Sequence, residues 1–598
     1  MFDRIANVGW HHDHPNLVFW ASFLTLNAFL FLPLYLLSQE TATFLPIPTL
    51  FADGSWEGIN QLFIWRENLD IFRISVEFTV LTALWVTVRW LQRPLVRYLF
   101  IVLYLLALAY YVYEAIMVSI YLLDPNFYSQ GFLARDGLPF LLAHVQTAWW
   151  TYAATIAGLV VGIAVIVGLI NLLLAAGAAP TLRRASRVVF ALLAGLCVSA
   201  ALIYQIYTAT PEMVVSSLGF KVQKNIAAST KLYTDVASFD DKPVRAAYNY
   251  VNYPLAKKPN IYLIFVESYG SVLYKRPDYR KAYTTLLAGL EKEFEAAGWH
   301  EATALSESPT WGGGSWLSYT TVLSGLRVDN HPQYLSLFNK YQVETYPNLG
   351  RTLQAQGYQF VWLSALTEDL MDRAWARYTR FYGVDELIRN EQLGYGGPRY
   401  GWGPAPPDQY DLNYANEMVK SRGDKPLFLF TITQNSHYPW VPHPTLVDDW
   451  RTLNQPQPED AAVDPKEIAP ATMRQNYLHA IQYQLPMLTD FILHNGDDNS
   501  LFVLIGDHQP PAVSRRTDGW STPVHIISKD KALIDSLAEY GFVPGLTVSS
   551  LEPTLHHEGI YSMLMRTLVE QYGVDKLALP AYLPRGAVSD SLTQSMQP

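Results

Sequence analysis

Four short polar motifs interrupt otherwise apolar or glycine-rich stretches of this chain. They are Glu267 after the run Ile261–Val266, Ser315 after Gly312–Gly314, His437 in Asn435-Ser436-His437, and Asp507-His508 after "LFVLIG". None includes a thiol, and carboxylates beside imidazoles make a ligand set for Zn²⁺, Mn²⁺ or Mg²⁺. A glycine triplet costs backbone entropy and is kept where the chain passes close to something or needs φ > 0. The residues after it, Trp316–Leu323, read as a helix ending before Ser324-Gly325. Ser315 then falls at or near a helix N-cap, where free N–H groups and the positive dipole end suit a phosphate or sulfate. A serine there, beside a divalent cation, can lose its proton near neutral pH and attack phosphorus. Each motif alone has a plainer reading, as a strand-end turn acid, a hydrogen-bonded turn histidine or a capping serine. Several such endings on one sheet edge outweigh those readings.

The elements that must bring them together are legible as buried strands. "NIYLIFV", "YQFVWLSA", "PLFLFTIT" and "SLFVLIG" are short continuous apolar runs. Helical stretches such as Ala282–Ala297, Asn348–Gln356 and Asn476–Leu493 lie between them. Strands buried on both faces and alternating with helices predict an α/β domain with a largely parallel sheet. Sites in such sheets lie beyond the carboxyl ends of the strands.

This domain occupies only part of the chain. The 598 residues carry a net charge of −10 and no basic block, which excludes a nucleic-acid partner. The lone cysteine, Cys197, lies in an apolar run, so a disulfide framework, a thiolate metal cluster and a cysteine nucleophile in the polar part are excluded. Apolar stretches near Leu17–Ser38, Phe72–Trp90, Tyr98–Ile120, Trp150–Leu174 and Val188–Thr208 are each long enough to cross a bilayer, about five spans of roughly 20 residues. The first is too long for a signal peptide. Arg89, Arg93 and Arg97 fill the second connection, and Arg183, Arg184 and Arg187 the fourth, whereas the first carries Glu40, Asp53, Glu57, Glu67 and Asp70. The positive-inside rule puts connections two and four in the cytoplasm, the N-terminus with them, and the region after Thr208 outside. Glu77 and Glu114 fall inside spans, either snorkelling to the interface or lining a groove for a lipid head group. The expected organisation is a transmembrane domain over 1–209, a helical connector over 210–256 along the membrane surface, and a catalytic domain over 257–598.

The motifs "PNIYLIFVES", "GGGSWLSYTTVLSG", "NSHYPW" and "GDHQPP", in this order, resemble the alkaline phosphatase/sulfatase superfamily. The branch they look most like is the membrane-anchored one of lipoteichoic acid synthases and phosphoethanolamine or phosphoglycerol transferases. The resemblance implies a sulfatase-like fold and one divalent metal, Mn or Zn first and Mg after them. It implies Glu267, Asp507, His508 and Ser315 as metal ligands, Ser315 as nucleophile, and His437 as catalytic and in contact with the transferred group. Thr310 is a rival nucleophile, because the synthases usually use threonine. Ser315 has the spacing to Ser324-Gly325 of the sulfatase signature. Leu317 and Tyr319 replace that signature's proline and arginine, which disfavours formylglycine and sulfatase chemistry. Ser268 stands where sulfatases carry a second carboxylate, pointing to one main metal. Trp375-Ala-Arg377 has the pattern of a phosphoglycerol-binding Trp-x-Arg, with Arg373 nearby and a helix-surface role equally open.

The resulting expectation is a multi-pass inner- or plasma-membrane enzyme with its catalytic domain periplasmic or extracellular. It would move a phospho-alcohol from a membrane phospholipid donor to a glycan or glycolipid acceptor through a covalent Ser/Thr intermediate. A phosphodiesterase or sulfatase-type hydrolase, and a non-catalytic sensor or scaffold, are the alternatives. The stretches Glu391–Tyr410 and Pro442–Met473, rich in Gly, Pro and aromatics, are read as acceptor-binding loops or as packed surface loops.

Overall fold

Ile261–Val266 carries no charged side chain and all six residues are fully buried, which requires apolar layers on both faces of the strand. A computed structural model supplies those layers. It describes residues 13–38, 70–119, 121, 123–132, 135, 149–203, 214–240, 242–366, 372–400, 405–423, 425–455, 470–574 and 579–587. The chain divides into two units, Met1–Tyr233 and Thr234–Pro598, with the boundary inside the segment expected as a connector.

In the second unit, β3 (Asn260–Val266), β5 (Gln359–Ser364), β6 (Glu386–Arg389), β7 (Leu427–Ile432) and β8 (Ser500–Gly506) form a parallel block ordered β8-β3-β7-β5-β6. On the far side of β8 the sheet turns antiparallel through β9 (Ser521–Ser528), β4 (His300–Glu307) and β10 (Val543–Pro544), with β11 (Leu555–His556) pairing β4 in parallel. Alternate residues of β3 feed two separate cores. Ile261, Leu263 and Phe265 pack in the first, with Ile560, Leu564 and Leu568. Tyr262, Ile264 and Val266 pack in the second, with Leu287, Phe294, Ile481 and Leu488. This is the three-layer α/β arrangement expected from the continuous apolar runs. It aligns the carboxyl ends of β3, β7 and β8 along one edge.

In the first unit, α1 (Pro15–Leu37), α3 (Pro94–Ser119), α4 (Trp149–Ala178) and α5 (Arg184–Ile203) are long and apolar enough to cross a membrane. The second expected span is shorter than the sequence suggests. Its helix, α2 (Val76–Thr87), has 12 residues, about 18 Å at 1.5 Å per residue against a hydrocarbon core of about 30 Å. Ser75 caps it by accepting from Phe78 N, and β1 (Ile74–Ser75) pairs with β2 (Val215–Ser216), so backbone expected as helix is extended instead. The acids Glu40, Asp53, Glu57 and Glu67, and the expected end of the fifth span at Thr208, lie outside the described residues.

Glu77 and Glu114 are both taken up by donors from the segment Ser217–Lys221. Glu77 accepts from Ser217 Oγ at 2.7 Å, Leu218 N at 2.9 Å and Gly219 N at 2.8 Å, capping the start of α6 (Leu218–Ala237). Glu114 is buried and takes Lys221 Nζ on both oxygens, at 2.6 and 2.7 Å. The chain returning after α5 brings its own donors to both carboxylates.

Candidate active site

Glu267 follows β3, and Asp507 and His508 follow β8, its direct neighbour. All three are buried, and one ligand atom from each lies within 4.8 Å of the others. Ser315 reaches them from another direction. Gly313 and Gly314 have φ of +120° and +77°, and a Cβ on Gly314 would lie 3.3 Å from Thr310 Oγ1, so the turn needs glycine there. Gly314 is itself the N-cap of α7 (Ser315–Ser324), which makes Ser315 the first helical residue. Its Oγ donates to Glu267 Oε2 at 3.0 Å and lies 3.4 Å from His508 Nε2. Thr310 Oγ1 instead donates to Gly313 O at 2.5 Å.

The two histidines are oriented alike. His508 Nδ1 lies 2.8 Å from Gln509 O and His437 Nδ1 lies 2.6 Å from Tyr438 O, so each Nδ1–H donates to a carbonyl. In the neutral ring that tautomer leaves Nε2 as the acceptor, and each Nε2 is turned toward the carboxylates. His508 Nε2 is 3.2 Å from Asp507 Oδ2 and 3.4 Å from Glu267 Oε1, and His437 Nε2 is 4.0 Å from Glu267 Oε1.

The residues fit a cation. Asp507 Oδ2 is buried and has no hydrogen-bond partner. Burial, then the adjacent Glu267, pushes the Asp507 carboxyl well above the usual range. For Glu267, burial acts upward, but His437 and His508 and the surrounding hydrogen bonds bring it below its ordinary value. Burial lowers His508, keeping the imidazole neutral. Two acids and a neutral imidazole around one orphaned oxygen are what a divalent ion needs, and its charge would let both acids ionise. Oxygen and nitrogen donors without sulfur suit Zn²⁺, Mn²⁺ or Mg²⁺.

Several supporting residues carry no sequence signal of their own. Ser268 has φ +56° and is buried. It donates its Oγ to Glu267 Oε1 at 3.0 Å and its N–H to Asp507 Oδ1 at 2.7 Å. Thr433 Oγ1 accepts from Glu267 N at 3.1 Å, and Ser436 Oγ donates to Glu267 O at 2.7 Å. Gln509 is fully buried and bridges Ser271 Oγ, Gly519 O and Ser521 O, which fixes the turn after His508. A serine following an acid at a strand end was the one available hint.

Trp375 and Arg377 are not joined to this cluster by any hydrogen bond or ion pair among the described residues. Arg377 is exposed, donates to Asn339 Oδ1 at 2.8 Å and lies 4.8 Å above the Phe338 ring. Trp375 is buried beneath the Arg389 guanidinium, 5.9 Å from its ring. The Arg373 side chain, residues 401–404 of the first irregular loop and 456–469 of the second lie outside the described residues.

The Sulfatase family model matches residues 259–532, which contain every residue of the cluster. No curated protein sequence matches the chain. Among solved structures, the chain is similar to the lipoteichoic acid synthase LtaP from Listeria monocytogenes, at 16% identity, covering 59% of this chain and 81% of that one, with a TM-score of 0.37. It is similar to the soluble domain of lipooligosaccharide phosphoethanolamine transferase A from Neisseria meningitidis, at 14% identity over 53% and 91%, TM-score 0.37. A third is the Streptococcus pyogenes phosphoglycerol transferase GacH in complex with sn-glycerol-1-phosphate, at 12% identity over 61% and 90%, TM-score 0.34. At such identities no residue role carries over, and the roles rest on the geometry above. Residues 259–532 are thus similar to the Sulfatase family.

Proposed function

We propose that this protein is a membrane-anchored, metal-dependent transferase. It would move a phospho-alcohol of the phosphoglycerol or phosphoethanolamine type from a phospholipid to a glycan or glycolipid hydroxyl. The observation that carries this reading is Ser315 Oγ on the first turn of a helix, 3.0 Å from Glu267 Oε2 and 3.4 Å from His508 Nε2. A divalent cation held by Glu267, Asp507, His508 and Ser315 would favour the deprotonated hydroxyl and offset charge on the phosphoryl oxygens.

Glu267 Oε2 orients the Ser315 hydroxyl and receives its proton as Oγ attacks phosphorus. The bond from phosphorus to the diacylglycerol oxygen breaks, and the proton taken from Ser315 passes from Glu267 through His437 Nε2 to that alcohol. The phospho-alcohol is then esterified to Ser315, with the N–H groups of the first turn of α7 facing its charge. In the second half the acceptor hydroxyl loses its proton to His437 and attacks phosphorus, and that proton returns to Ser315 Oγ by way of Glu267 as the Ser315 ester breaks. Atoms and charges balance over the two halves. Tethering the catalytic unit to the bilayer raises the effective concentration of a lipid donor.

The same reading includes a cytoplasmic N-terminus and an outward-facing catalytic unit, which requires an odd number of crossings. α2 with its extended flank supplies the fifth. Irregular backbone at membrane depth is tolerated where protein satisfies it, and Asn27 does so, bonding both Arg73 O and Ser75 N. Cysteine accessibility on either side of α2 tests this; flanks reachable from one side only would leave four crossings.

The decisive experiment incubates purified protein with Mn²⁺ or Zn²⁺ and vesicles of phosphatidylglycerol or phosphatidylethanolamine, then maps any adduct by mass. A head-group-sized phospho adduct on Ser315 is expected, falling by ~10³-fold or more in Ser315→Ala. An adduct on Thr310 would replace the nucleophile. Diacylglycerol release without an adduct or an acceptor would favour the hydrolase, and absence of bound metal would favour a scaffold.

A further inference from the structure

His437 stands on a turn, Thr433–His437, leaving the end of β7, and this turn is fastened from two sides. On the β3 side, Thr433 and Ser436 are tied to the backbone of Glu267. The middle of the turn is held by Asp408, the first residue of α10, where α8 is His331–Lys340, α9 is Asp372–Tyr382 and α10 is Asp408–Lys420. The Asp408 carboxylate accepts Gln434 N on both oxygens, at 2.8 and 3.0 Å, and Asn435 N at 2.9 Å. The bonding is reciprocal. Asn435 Oδ1 accepts the Asp408 N–H at 2.7 Å, a helix-terminal donor that has no partner within its own helix. Pro407, at the N-cap position, has no side chain able to cap, so the cap comes from a residue 27 positions away in sequence. Both partners are buried, Asp408 at 1% and Asn435 at 3% exposure.

We propose that Asp408 is a positioning residue for His437. With Asn435 it forms a two-way clamp that sets the backbone of the His437 turn, and hence His437 Nε2, against Glu267 and Ser315. This rests on the reading of His437 as a group that meets the transferred phosphoryl. The chemistry of residue 408 is specific. Two N–H donors fill both carboxylate oxygens, whereas an amide would set its own NH₂ against one of them. Retaining an acid here is otherwise unfavourable, since burial pushes Asp408 up to about 6 despite those donors.

The test compares full-length wild type, Asp408→Asn and Asn435→Ala, each loaded with Mn²⁺. Diethyl pyrocarbonate modification of His437 (27% exposed side chain) is followed by peptide mass relative to His494 (72% exposed). Both variants should bind Mn²⁺ at the wild-type stoichiometry, yet His437 should react about threefold faster or more, because the loosened turn opens more often. Adduct formation on Ser315 should slow about tenfold or more as the proton-transfer geometry is lost. Unchanged His437 reactivity in folded variants overturns the clamp, whatever the adduct rate does. If wild type forms no adduct with either lipid, the proposed function fails while His437 reactivity still decides the clamp. Should Asp408→Asn not fold, Asn435→Ala decides it alone.

Discussion

Both units bury acidic side chains, and they treat them in opposite ways. In the first, Glu114 is closed off by Lys221 on both oxygens, and Glu77 by three donors from the start of α6. Both of these carboxylates are met by the protein's own donors. In the second, Glu267 and Asp507 sit side by side at adjacent strand ends, and one buried oxygen, Asp507 Oδ2, is left without a hydrogen bond. A closed pair serves the fold, whereas an open set could hold a cation. The difference lies in whether a compensating charge was built in.

Substitutions at the two places should therefore diverge. Asp507→Asn should lower metal affinity by ~10²-fold or more, measured by competition with a chelating dye. The same change should leave the metal-free protein as stable or more so, because it removes a carboxyl that burial and the adjacent Glu267 keep from ionising. A metal-free melting temperature that falls would break the comparison. Glu114→Gln should behave in reverse, costing the membrane unit about 1–3 kcal/mol by leaving the part-buried Lys221 ammonium without its counter-charge. Proteolytic resistance in detergent would report it, and resistance equal to wild type would show the pair to be dispensable.

Glu301 sharpens the point, as an acid with neither a built-in cation nor an open ligand set. Burial, then Glu291 and Glu295, raises it to about 7. A folded-state value above the unfolded one means the native protein holds the extra proton, so stability falls as pH rises from about 4.5 to 7. Glu301→Gln should flatten that part of the melting-temperature profile of the second unit, with little effect on activity. An unchanged slope would assign it to other groups.

Much of the α/β domain was legible because a strand buried on both faces must be apolar throughout. Ile261–Val266 and Ser500–Gly506 could be read, and their terminal residues Glu267, Asp507 and His508 followed as the strand ends. The short α2 was not legible. Its apolar run is long enough for a span, but the ladder between Ile74–Ser75 and Val215–Ser216 takes its first residues out of the helix. Hydropathy counts residues and cannot see a pairing made 141 positions away. The partners of Glu77 and Glu114 were hidden for the same reason.

By itself the sequence pointed to an apolar first part ahead of an α/β domain with a largely parallel sheet, and to residue types able to bind a divalent ion, since composition and periodicity are local properties. Only the tertiary structure decided that Ser315 rather than Thr310 meets Glu267, and that Arg377 bonds Asn339. It alone placed Ser268 on both carboxylates and Asp408 behind the His437 turn. Those are directional contacts between distant segments, fixed by distances and lone-pair geometry that residue types and spacing leave open.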